Sequence, residues 1–265
     1  MPILILIAAA VAGLLVGGLV NAVVMRTRES LLFTVARSCA VCAEPISSQE
    51  YLPIFGYFAV RRRCGECQAV IPWQYPATEL VFALLFLVFA ARAMGLWVDA
   101  LPAFVSANES FLLFVRDALM VTSLILVFVF DYRASIIPDR VTIPAIVAAI
   151  ICNLALGLSP VTMLLGGLFL GGFFAVQFLA SSGRWVGGGD IRMGMLMGFL
   201  LGPWVGIAAL LVAYVFGALL GAVLVVSKKR RLSSHVPFGT FMALATILAM
   251  LFGDQAINWY LNLLG

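Results

Sequence analysis

Apolar residues run along this chain in long unbroken stretches. They do not alternate as on a half-buried strand, and they do not recur every third or fourth position as on the inner face of a soluble helix. Eight segments stand out, at 3–25, 77–97, 110–130, 141–158, 161–181, 191–201, 204–226 and 237–262. Most reach the roughly 18–20 residues that carry a helix across about 30 Å of hydrocarbon. The sixth is short, and the pattern predicts a half-span that turns at Gly202-Pro203. Lipid gives the backbone no hydrogen bonds, so spans are helices or closed barrels, and unbroken runs select helices. The expected fold class is an all-α membrane protein, a bundle of about eight transmembrane helices.

Composition agrees. Of 265 residues, 64% are hydrophobic and 11% charged, against about 45–50% and about 25% in soluble domains. A soluble chain of this make-up would lack a wettable surface. No basic residue precedes the first run, which is also long for the apolar part of a secretory signal, so it is read as a retained span.

The net charge of +4 is mild, but its placement is informative. Lys and Arg gather in cytoplasmic loops. With the N-terminus outside, Arg26, Arg28, Arg37, Arg61 to Arg63, Arg133, Arg140, Arg184, Arg192 and Lys228 to Arg231 all fall at the inner side. Arg92 and Arg116 are the exceptions, while Asp99, Glu109 and Asp254 fall outside. The basic cluster at 228–231 reads as an anchor on anionic headgroups, and nothing points to nucleic acid.

One inner loop, 26–76, is larger than the rest. It carries Cys39-Ala-Val-Cys42 and Cys64-Gly-Glu-Cys67, two CxxC pairs with 21 residues between them. Zn²⁺ takes four tetrahedral soft ligands, and each CxxC supplies two from one tight turn. A loop too small for its own core would draw folding energy from the metal. The cytoplasmic side disfavours lasting disulfides. Redox pairs are the competing reading, without a thioredoxin-like pattern behind it. The expected organisation is a first transmembrane helix over 1–25, a small zinc-stapled cytoplasmic domain over 26–76, and a transmembrane catalytic domain over 77–265. Cys152, alone in an apolar span, reads as a small core residue.

Acids inside or bordering spans are costly and often functional. Asp131 directly follows the run ending at Phe130, and Asp190 closes Gly187-Gly188-Gly189-Asp190. Both fall at inner helix ends, so both can share one depth. Two close carboxylates tend to hold one proton between them. The ionised one can then activate water while the protonated one donates to a peptide carbonyl. The glycines before Asp190 allow close backbone approach and unusual dihedrals. Capping is the competing reading. Asp190 is placed to cap a helix, Asp139 after Pro138 more so, and Asp131 can simply end a span. Asp117 beside Arg116 reads as an internal ion pair, and His235, the single histidine, as a solvated loop residue. Neither a Ser-His-Asp set, an HExxH motif nor a phosphate-binding loop is present. The glycines at 166, 167, 171 and 172 read as close helix contacts.

Taken together these motifs resemble the type IV prepilin peptidases, membrane aspartyl proteases with a G-x-G-D motif. Phe130-Asp131, Ile137-Pro138-Asp139 and Thr142 are similar to the family's first aspartate motif, and Gly187 to Asp190 to its second. Val236-Pro237-Phe238-Gly239 is similar to its I-P-F-G segment. The CxxC pairs, Tyr75-Pro76, Glu79, Gly17-Gly18, Asn21 to Val24 and Arg26 resemble its N-terminal region. The resemblance implies catalysis by Asp131 and Asp190, with Gly187, Gly189 and Arg192 positioning substrate. It also implies cleavage of the short basic leader of prepilins and pseudopilins, whose apolar segment would lie in the bilayer. Many members also N-methylate the new terminus with S-adenosylmethionine. The implied location is the bacterial inner membrane, with the zinc domain and aspartates on the cytoplasmic side. Arg192 stands where the family usually has lysine, Glu50 to Pro53 replaces an Asp-Asn-containing sequence, and Gly18-Leu19 replaces a Ser-Phe pair. The last two departures bear on methylation more than on proteolysis. Two other functions compete: a proton-coupled transporter, since membrane acids also relay protons, and a membrane-anchored zinc module that recruits partners.

Overall fold

A computed structural model describes residues 2–26, 57, 63, 67–70, 73–96, 107–226 and 237–264. Among them are seven helices: α1 Pro2–Arg26, α2 Gln74–Ala93, α3 Ala107–Ala134, α4 Asp139–Ala155, α5 Pro160–Ser181, α6 Gly188–Val226 and α7 Phe238–Leu264. The only strand-like pairing among the described residues is a single antiparallel bridge, Arg63 to Val70. Six of the helices, all but α4, are long and apolar enough to cross a membrane. The regular structure of the described residues is helical apart from that bridge, and the protein is a multi-pass membrane protein. Leu80, Leu84, Leu164, Leu168, Val176 and Val223 are among the large apolar side chains turned outward. Such surface would be a liability in water and is ordinary against lipid.

Eight apolar segments become seven helices because the sixth and seventh run together as α6, of 39 residues. α6 is not straight. Gly202 sits at φ 72°, ψ −178°, outside helical space, and Pro203 follows it. A Cβ on Gly206 would come within 3.9 Å of the Gly198 Cα, whereas eight residues of straight helix span about 12 Å. The helix therefore doubles back at Gly202-Pro203, the turn expected there. The fourth segment forms α4, only 17 residues long, about 26 Å of helix and shorter than the others.

The chain divides into two compact units, Met1–Val98 and Asp99–Gly265. In the first, α1 packs on α2 through glycines. A Cβ on Gly13 would meet the Phe82 carbonyl oxygen at 2.5 Å, and one on Gly17 the Glu79 Cα at 2.7 Å. Asn21 Nδ2 donates to the Tyr75 carbonyl at 2.9 Å. Around the second CxxC pair, the bridge from Arg63 to Val70 and the left-handed Gln68 (φ 58°) reverse the chain, and Cys67 is exposed. Cys39, Cys42 and Cys64 lie outside the described residues, as do His235 and the basic cluster at 228–231.

In the second unit α5 packs on α6, as the glycines at 166, 167 and 171 predict. A Cβ on Gly166 would lie 2.8 Å from the Gly202 carbonyl carbon, and one on Gly167 2.6 Å from the Phe199 ring. Gly172 faces open space instead. Arg116 and Asp117 form the expected ion pair, fully buried at the aspartate, with Arg116 Nε 2.9 Å from Asp117 Oδ1. Arg116 Nη1 also donates to Asn153 Oδ1 at 3.0 Å. Asn153 Nδ2 in turn donates to the carbonyls of Phe199 at 2.9 Å and Leu200 at 3.2 Å. Pro203 has no N–H to offer Phe199, four residues back. The buried amide of α4 thus satisfies carbonyls that the break in α6 would orphan.

Candidate active site

Five helix ends meet at one end of the second unit: the C-terminal turns of α3 and α5 and the starts of α4, α6 and α7. They enclose a cavity of ≈ 390 Å³. Asp131 reaches it from the last turns of α3 and Asp190 from the first turn of α6. Ser135, Ile137, Gln177, Trp185, Val186, Gly187, Gly189, Tyr214, Pro237 and Phe238 complete the wall. Asp190 and Tyr214 both line it only because α6 folds back on itself, since 24 residues of straight helix would separate them by about 36 Å.

Asp131 is 4% exposed, and its Oδ2 accepts the Thr240 N–H at 2.7 Å. That amide lies in the first turn of α7, where backbone donors have no intrahelical acceptor and the dipole favours an anion. A Cβ on Gly239 would stand 2.9 Å from Asp131 Oδ2 and 2.8 Å from Ile137 Cδ1. Gly239 is thus the residue that admits both groups. Asp131 does more than end its span.

Asp190 stands three residues into the first turn of α6. Its Oδ2 accepts the Gly187 N–H at 2.8 Å. A third-position carboxylate reaching back to the amide that opens the helix is half of a capping box. Capping and cavity exposure therefore coexist in one side chain. A Cβ on Gly189 would lie 2.8 Å from the Ile137 Cβ, so this glycine lets the aspartate-bearing turn settle on Ile137. Asp139 does not cap α4: Pro138 occupies the cap position without a side-chain bond. Asp139 pairs instead with Arg192. Arg192 does not line the cavity.

Sequence reasoning singled out Asp131, Asp190, Gly187 and Gly189 of this wall. It missed Gln177, Tyr214 and Trp185. A glutamine and a tyrosine inside otherwise apolar spans were the available signal. Tyr214 lies tilted against Phe238 with ring centroids 4.7 Å apart, and the Phe238 ring lies 6.1 Å from that of Phe174. This aromatic cluster fixes the start of α7, and with it the Thr240 amide.

Residues 11–93 match the profile of the Bacterial Peptidase A24 N-terminal domain, and residues 118–222 that of the Type IV leader peptidase family. A prepilin leader peptidase/N-methyltransferase of Bacillus subtilis (strain 168) is 31% identical over 232 residues, covering 85% of each chain. The chain belongs to the type IV leader peptidase family. A family member carrying the same descriptive name from Pseudomonas putida is 30% identical over 285 aligned positions, covering 97% of this chain and 94% of its own. One from Aeromonas hydrophila is 29% identical over 235, covering 86% and 76%. No solved structure matches. Family membership makes the chain an enzyme of the prepilin peptidase class, and both family profiles end or begin within a helix described above. The cavity falls among the residues matched by the second profile, apart from Pro237 and Phe238.

Proposed function

We propose that this protein is an aspartic endopeptidase that removes the basic leader of type IV prepilins or pseudopilins, with Asp131 and Asp190 as its catalytic pair. The observation that carries the reading is that two acids distant in sequence line one cavity at the ends of their helices. Two carboxylates on one small cavity favour a single shared proton. The ionised member takes a proton from water, and the oxygen attacks the scissile carbonyl carbon. The protonated member donates to the carbonyl oxygen. Collapse of the tetrahedral intermediate breaks the C–N bond, and a proton passes to the departing amine. Gly187 and Gly189 line the cavity beside Asp190 and are read as positioning the substrate strand. The prepilin's apolar segment would lie in the bilayer beside the second unit.

The basic-loop pattern supports an inner-membrane location with the N-terminus outside and the aspartate end cytoplasmic. Relatives named N-methyltransferase support a second activity, methylation of the new terminus from S-adenosylmethionine. Residues 26–76 are read as a cytoplasmic zinc domain held by Cys39, Cys42, Cys64 and Cys67, and 77–265 as the catalytic part. The chain reversal around Cys67 suits a CxxC ligand turn.

The deciding experiment incubates membranes containing the protein with a prepilin-type substrate and measures product mass. Asp131→Asn and Asp190→Asn should each insert and fold yet leave the leader uncut; normal processing by either would reject the assignment. A product heavier by one methyl group would establish the second activity. Purified protein should hold near-stoichiometric zinc that vanishes when Cys39 and Cys64 are both replaced, and zinc-free folded protein would reject the metal.

A further inference from the structure

The aspartate-bearing segments are joined outside the cavity as well as within it. Residues 131–139 run from the last turn of α3 to the first residue of α4, and residues 187–192 open α6. Ile137, 9% exposed, is wedged between them: Gly189 lies against its Cβ and Gly239 against its Cδ1. Two residues beyond Ile137, Asp139 forms an ion pair with Arg192, which itself lies two residues beyond Asp190. The pair thus ties the α4 start, downstream of Asp131, to the turn that carries Asp190. Apart from this pair, the apolar wedge at Ile137 is the tie described between these two segments. A wedge resists compression but not sliding, whereas a charge pair fixes register.

We propose that Asp139 and Arg192 are positioning residues, an electrostatic clasp that sets Asp190 against Asp131, and that Arg192 acts through this pair and not by touching substrate. The inference rests on the proposed aspartate pair and deepens it. Asp139 is exposed, at 54%, and Arg192 half-buried, at 33%. Exposed pairs contribute little to folding. Misplacing a reacting group by about 1 Å, in contrast, can cost roughly 10²-fold in rate. The clasp should therefore show itself in turnover and not in stability. Arg192 Nε is buried and has no hydrogen-bond partner among the described residues, so the ion pair is what this guanidinium has gained there.

The test is a charge swap read by steady-state cleavage of a prepilin-type substrate. Arg192→Asp and Asp139→Arg should each lower kcat by roughly ten- to a hundredfold with KM nearly unchanged. The double variant, which restores an opposite pair, should recover most of the loss. Arg192→Lys, with the charge kept, should stay within a few-fold of the parent. Thermal unfolding in detergent shows whether each variant is folded. If a charge-reversed variant does not fold, Arg192→Gln, Asp139→Asn and their combination replace it: the clasp predicts a double no worse than the worse single, and a double whose loss equals the product of the two single losses would overturn it. Wild-type turnover in the singles would overturn the proposal, as would a double no better than the product of the singles. A rise in KM confined to the Arg192 variants would overturn it in favour of direct substrate contact. Should Asp131→Asn remain active in the same assay, the aspartate reading itself fails, a result separate from any of these.

Discussion

Helix α3 carries two buried aspartates, about four turns apart, and their surroundings differ in one decisive respect. Asp117 is wholly buried, with the Arg116 guanidinium against its Oδ1. Arg116 also grips Asn153. Asp131 is nearly as buried, but it opens on a cavity that a second carboxylate shares, and its described hydrogen bond comes from a backbone amide. A carboxylate matched by a guanidinium in low dielectric is committed to holding structure. One held by a neutral donor beside another acid keeps its protonation open to use. Burial alone does not mark a functional acid in a membrane; what faces it does.

The contrast can be broken from either end. The largest effect is expected at the cavity. Asp131→Asn keeps an oxygen for the Thr240 N–H, so unfolding should change little while leader cleavage falls on the order of 10³-fold. Cleavage kinetics and thermal unfolding on the same preparation check both halves. Next comes Asp117→Ala, which strands a buried arginine charge and should cost about 3–5 kcal/mol of stability, with activity lost only as folded protein is lost. Replacing Arg116 and Asp117 together by Leu should return much of that stability, since removing both charges spares their desolvation. Denaturation in a fixed detergent reads these changes. The smallest effect is expected from Asn153→Ala, which leaves two carbonyls beside Gly202 unsatisfied and should cost about 1–3 kcal/mol. A variant as stable as the parent would show that those carbonyls find other donors.

Much of this was legible beforehand. Unbroken apolar runs are the strongest pattern a chain can carry, so most of the spans, the Gly202-Pro203 turn and the Arg116–Asp117 pair could be read directly, while the fourth segment formed a helix too short to count among them. The aspartates stood out because charge is scarce in such segments. Asp139 was misread as a helix cap because a local preference was visible and its distant partner, Arg192, was not. Asn153 escaped notice for the same reason: its bonds run to backbone carbonyls more than forty residues away, and composition carries no trace of them. Tyr214 and Gln177 required knowing that α6 reverses far enough to bring its second half beside its first.

That reversal has a consequence for how the chain is threaded. As one rod, the 39 residues of α6 would stretch about 58 Å, far beyond a bilayer's apolar depth. Folded at Gly202 they leave and return on one side, so the segment adds an even count of passages and α7 starts on the side where α6 started. Pro237 and Phe238 can then stand beside Gly187. Straightening the bend would send them to the opposite leaflet and strip Asp131 of its amide donor, so a glycine remote from the carboxylates decides whether the start of α7 reaches them at all.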